Sequence, residues 1–113
     1  MKAQRFPVTS DLYPLRYNYM GTKKPQICIC IHRSLYEKAK ILPGQYLDLT
    51  FSDSTALIRR GNHGWRASQR IDVIRFTFSA NAKALPPPTT DNALDVLEVS
   101  DGLITFRLPH LKS

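Results

Sequence analysis

The sequence predicts a mainly β chain of the α+β class, built from antiparallel hairpins with one short helix. Three observations predict it. Apolar and polar residues alternate with period two in residues 27–31, 46–51, 71–78 and 103–108. The turn signatures Ser52-Asp53-Ser54 and Ser100-Asp101-Gly102 follow such runs at hairpin spacing. Helical spacing is confined to residues 34–40, and Pro86-Pro87-Pro88 favours an extended loop where a second helix would fall. A chain of 113 residues, 42% hydrophobic, can close one core without metals or disulfide staples, so a single domain over 1–113 is expected.

Taken in order, residues 1–26 form a polar lead segment punctuated by Pro7, Pro14 and Pro25, with Tyr13, Tyr17 and Tyr19 spaced for an irregular strand. Ile27-Cys28-Ile29-Cys30-Ile31 is a strand with three isoleucines on one face. In the helix, Ser34 is the expected cap, with Glu37 three residues on as in a capping box and Lys38 and Lys40 in the last turn. Leu42-Pro43-Gly44-Gln45 is a turn, and strands follow at 46–51 and 55–59. Residues 61–70 are a basic connector between a first βαββ-like unit, 27–60, and a second, divergent β unit, 71–108. In the second unit the strands are expected at 71–78, 94–99 and 103–108. The lead strands ending at Ile31 and Phe78 stand 47 positions apart, and the turns at Asp53 and Asp101 stand 48 apart. Such a spacing is expected of two repeated units arranged as a single-chain pseudo-dimer.

Charge is concentrated. Of the formal +7, residues 1–78 carry 13 basic and 5 acidic residues, while the remainder carries 3 and 4. That asymmetry is expected where one face meets a polyanion and the rest is scaffold. No segment approaches the roughly 18 apolar residues of a membrane helix. The opening Met1-Lys2-Ala3-Gln4-Arg5-Phe6-Pro7 lacks the apolar run of a secretory leader, so a cytoplasmic location without membrane attachment is expected.

The run from Ile29 to Leu49 resembles the AbrB/SpoVT/MazE swapped-hairpin superfamily. Ile31 matches the last residue of its first strand, Leu35 the inward residue of its helix, Ile41 the apolar plug and Pro43-Gly44 its turn. His32, Tyr36 and Lys40 depart from the proline, arginine and glycine frequent at those places in the family. The resemblance implies an AbrB-like swapped-hairpin barrel, formed by a homodimer or by both halves of one chain. It also implies DNA binding in transcription regulation, with Lys23, Lys24, Arg33 and Lys38 in the gripping positions, and a nucleoid-associated location. The Tyr-rich lead, Pro25 and element order are similar to the SymE-like toxins, for which the partner is RNA and the activity RNA cleavage. Toxin–antitoxin membership further implies a protein partner, the chain then acting as an antitoxin-like binding module.

The densest local signal is residues 59–70, which contain Arg59, Arg60, Arg66 and Arg70 and no acid. Arginines there would neutralise phosphates, and the faces of Trp65 suit base stacking. Asn62, His63 or Gln69 would touch base edges. Trp65 equally suits a plug between the two halves. Cys28, Cys30 and His32 share one strand face, but alternate strand residues lie roughly 6.6–7 Å apart, whereas ligands of one zinc ion converge to within about 4 Å. No metal, disulfide or cofactor is expected. Catalytic chemistry is thin: His63, beside Arg59 and Arg60, is the one candidate for a metal-free ribonuclease. The expected activity is therefore nucleic-acid binding, DNA first, rather than an enzymatic reaction.

Overall fold

The alternating runs pair into antiparallel ladders. The structure is a computed structural model that describes residues 9–21, 23–79, 85–86 and 93–109. Its elements are β1 (Leu15–Met20), β2 (Gln26–His32), α1 (Arg33–Lys38), β3 (Tyr46–Phe51), β4 (Thr55–Gly61), β5 (Trp65–Arg66), β6 (Ser68–Arg70), β7 (Val73–Ser79), β8 (Val96–Ser100) and β9 (Leu103–Arg107). The protein is mainly β, as the periodicity predicts.

Two open sheets result, one in the order β1-β2-β7-β6 and one in the order β5-β3-β4-β9-β8. The barrel expected from the family resemblance is not closed. The physical reason lies at Ala67, whose amide donates to the Gln45 carbonyl (2.8 Å) and whose carbonyl accepts from the Gly44 amide (2.7 Å). This buried residue carries the chain out of β5, in one sheet, and into β6, in the other, so at this point the sheets are joined by covalent chain and not by a continuous ladder. Residues 61–70, expected as a basic connector, contain two short strands, β5 and β6.

Both sheets are arranged about matched centres. In the first, β2 and β7 pair through Ile29 and Phe76, 47 positions apart at the middle of each strand. In the second, β4 and β9 pair around Leu57 and Thr105, 48 positions apart. Each lead strand carries an outer neighbour, β1 or β6, and each inner hairpin strand carries β3 or β8. The strand frame therefore reads alike from either half.

The core lies between the sheets. Ile27, Ile29, Ile31, Ile74, Phe76 and Phe78 come from one, and Leu47, Ala56, Ile58, Ile104 and Phe106 from the other. Helix α1 covers one opening with Leu35 and Tyr36, followed by Ala39 and Ile41. Its start differs from expectation. His32 is the N-cap, its Nδ1 accepting from the Ser34 amide at 3.1 Å, while Glu37 pairs with Arg33 instead of closing a capping box. An imidazole nitrogen supplies the same lone pair as a hydroxyl would. The end is a Schellman turn: Ile41 N–H reaches the Tyr36 carbonyl (2.9 Å), Lys40 N–H reaches the Glu37 carbonyl (3.1 Å), and Lys40 takes φ +55°.

The opposite opening is covered by Leu85 and Leu94, both buried. The Tyr17 hydroxyl donates to the Pro86 carbonyl and the Tyr19 hydroxyl to the Leu85 carbonyl, each at 2.5 Å. Burial, and secondarily the neighbouring Tyr19, pushes the Tyr17 phenol up to about 12. Of the sequence expectations, Pro87, Pro88 and the opening residues 1–7 lie outside the described residues.

Candidate nucleic-acid interface

Register decides which basic side chains face outward. In the five-stranded sheet Leu47, Ile58 and Ile104 point inward, so the alternate positions Tyr46, Asp48, Arg59, Arg66 and Arg107 point out. Arg66 pairs across from Tyr46, and Arg59 across from Asp48. Arg59 and Arg66 are exposed and take part in no ion pair among the described residues. Asp48 Oδ1 accepts from the Leu49 amide (2.9 Å), and its carboxylate forms no ion pair with Arg59, its cross-strand neighbour. Tyr46, 41% exposed, lies between the two arginines in the register and offers an aromatic face.

Arg60 points the other way and has a structural task. Its Nη1 donates to the Lys40 carbonyl at 2.5 Å and its Nη2 to Asp101 Oδ1 at 3.0 Å. Gly102 supports the clasp: it takes φ +76°, and a Cβ there would lie 3.0 Å from Arg60 Cζ. The guanidinium ties the end of α1 to the β8–β9 turn. Arg33 is likewise engaged, with Glu37 (3.1 Å) and Asp72 (3.1 Å), carboxylates that hold its guanidinium the more firmly protonated, Glu37 foremost.

Trp65 is half-buried and bridges the sheets. Its ring stacks on Phe76 (centroids 6.0 Å apart) and tilts against Phe78 (5.2 Å), both on β7. Gly64 makes this possible, because at φ +125° any Cβ would collide with the Leu47 carbonyl. Of the two readings the sequence left open for Trp65, the geometry commits the ring to the core. Lys23 and Lys24 are exposed in the turn between β1 and β2, Lys38 in the last turn of α1, and Arg70 at the end of β6. His63 is exposed on the 62–64 bend.

Cys28 and Cys30 occupy the outer side of the four-stranded sheet, yet both are buried. Their sulfurs lie 3.9 Å apart. The shared hydrogen bond holds the Cys28 thiol below its usual range, and bonding to Cys28 together with burial pushes Cys30 well above it. Across the same row run Arg16, Cys30, Arg75 and Ser68, each the register partner of the next. Arg16, Arg75 and Arg107 were not singled out by the sequence. They stand alone in apolar strands, and the signal that finds them is alternation opposite inward residues, not local charge density.

Among the described residues no group of three His, Cys, Asp or Glu side chains is placed to hold a metal ion. No helix there is long and apolar enough to cross a membrane. No family model, no curated protein and no solved structure matches this chain.

Proposed function

We propose that this protein binds nucleic acid, DNA in the first place, through the outer side of the five-stranded sheet and the adjoining β5–β6 bend, in a regulatory role. The observation that carries the reading is the division among the arginines. Those at α1 and under the helix, Arg33 and Arg60, are spent on carboxylates and a carbonyl, whereas Arg59 and Arg66 face outward and pair with no carboxylate among the described residues. Exposed guanidiniums beside an aromatic ring suit phosphates and the bases between them.

The reading includes kinship with the AbrB-type swapped-hairpin proteins, both units being supplied by one chain. Support comes from the positions of Leu35, Ile41, Pro43 and Gly44 in helix, plug and turn, and from the matched strand centres. A monomer in the cytoplasm, associated with the nucleoid, is the corresponding state. Native mass tests the first point: a dimer overturns the single-chain pairing.

The deciding experiment is fluorescence anisotropy with duplex DNA, single-stranded DNA and RNA at several salt concentrations, with degradation followed in the same samples. Binding falls steeply with salt, and Arg59→Gln lowers the slope of log affinity against log salt by about one. Arg33→Gln leaves that slope unchanged. Absence of any binding at low salt overturns the proposal in favour of a protein-binding module. RNA degradation that disappears in His63→Ala overturns it in favour of a SymE-like nuclease.

A further inference from the structure

The point where β6 leaves β7 opens a notch. β6 pairs with β7 only from Arg70–Val73 to Ser68–Arg75, after which Ala67 carries the chain away to β5. The vacated space beside β7 is a groove of about 300 Å³. Its polar lining is Arg66, Arg75, Ser68, Thr77 and Gln26; Met20 and Phe76 supply the apolar part. Among the described residues no carboxylate lines it.

We infer that this groove is a seat for one phosphodiester of a nucleic-acid strand, held between Arg66 and Arg75. The inference rests on the nucleic-acid reading above and names where a backbone phosphate docks. Ser68 is the direct cross-strand partner of Arg75, and Thr77 lies two residues further along β7 on the same side. One wall therefore presents two hydroxyls beside a guanidinium, with a second guanidinium arriving from β5. Two forked cations, two hydroxyls and an amide are donors suited to phosphate oxygens. The volume stands at the lower end of small-ligand sites, room for a phosphate with its sugar but not for a duplex. Met20, on the same outer side of the sheet, gives the sugar an apolar surface, while the Phe76 ring stays in the core. Arg66 belongs to the outer face of the neighbouring sheet as well, so a strand lying on that face reaches the seat without leaving the protein.

Two measurements test it on the full chain. In the first, inorganic phosphate and a thymidine dinucleotide carrying one phosphodiester are titrated while backbone amide shifts are followed by NMR. Saturable shifts at Ser68, Arg75 and Thr77 are expected, and at least a tenfold loss of dinucleotide affinity in Ser68→Asp, which keeps both arginines. Unmoved amides in the wild type, or equal affinity in a folded Ser68→Asp, overturn the seat. In the second, the salt slope for DNA and RNA is compared between wild type and the Arg66→Gln/Arg75→Gln double variant. A loss of about one is expected, because both side chains hold the same phosphate; a loss of two assigns them to separate phosphates and overturns it. If neither polymer binds at low salt while phosphate still moves the three amides, the nucleic-acid reading falls and the oxyanion seat stands. If DNA binds with affinity and slope unaffected by either variant, the seat falls and the nucleic-acid reading stands.

Discussion

The two halves of the molecule share a strand frame and close it differently. In the first half, from β2 to β4, the connector is helix α1, held by local bonds, the His32 cap and the Schellman turn, to which β4 adds the longer-range Arg60 clasp. In the second half, from β7 to β9, Leu85 enters the core and is held at long range by the hydroxyls of Tyr17 and Tyr19. Strand pairing thus defines two openings in one core and leaves their covers to whatever side chains reach them. A helix brings its own hydrogen bonds; Leu85 and Pro86 take theirs from tyrosines of β1.

The strongest way to break the comparison is to remove one plug from each side. Ile41 and Leu85 are both fully buried. Truncating such residues to alanine costs about 2–5 kcal/mol, depending on how far the site collapses. Ile41→Ala is expected toward the upper part of that range, because the bonds around α1 prevent collapse. Leu85→Ala is expected nearer the lower end, since two hydroxyl bonds let the cover settle. Urea denaturation measures both. Equal losses would mean that the two covers are equally rigid.

Next in size is the clasp. Arg60→Ala removes bonds to a carbonyl and a carboxylate from a side chain only 32% exposed, an expected loss of about 1–2 kcal/mol. Asp101→Asn, at a side chain 65% exposed, is expected to cost less than about 1 kcal/mol. If the two losses were the same, the clasp would reside in the ion pair and not in the helix-end carbonyl.

On the other side, Tyr17→Phe is expected to cost about 1 kcal/mol, one hydrogen bond to a carbonyl. This contribution also has a pH signature. The folded phenol titrates at about 12 against an ordinary value of 10.0, so the folded state holds the proton more tightly. Its stabilisation is complete below pH 10 and is lost as pH rises from 10 toward 12. Denaturation midpoints across that window should fall in the wild type and fall less in Tyr17→Phe. Parallel profiles would remove the tyrosine from the account of the second cover.

Much of this frame is legible in the sequence, because period-two alternation is a local property: the strand read over 46–51 is β3 to the residue. What escaped is what depends on distant partners. β5 and β6, of two and three residues, are too short to show alternation, and they form only because β3 and β7 present free edges. Ser34 is the cap that residue type predicts, because hydroxyls are the usual acceptors, and an imidazole, at His32, takes the place two residues earlier. At the candidate interface, charge density led to residues 59–70 and so included Arg60, which alternation with Arg59 turns inward. It also passed over Arg75, a lone charge in an apolar strand that register sets opposite Ser68.

The smallest expected effect separates the halves by sign. Among the described residues two non-glycine residues hold positive φ: Lys40, +55°, closing α1, and Asp72, +54°, leading into β7. The left-handed region costs an ordinary side chain about 1–2 kcal/mol, and glycine there gives back about 0.4–1 kcal/mol through the freer unfolded chain. Lys40→Gly is therefore expected to stabilise by about 0.5–1 kcal/mol, since the Arg60 bond goes to the backbone carbonyl and survives the change. Asp72→Gly has less strain to relieve, because aspartate tolerates this conformation, and it forfeits the contact with Arg33. Its denaturation midpoint should not rise. A gain at Asp72 matching that at Lys40 would mean that the Arg33 contact contributes nothing, and that the two turns differ only in sequence and not in how they are held.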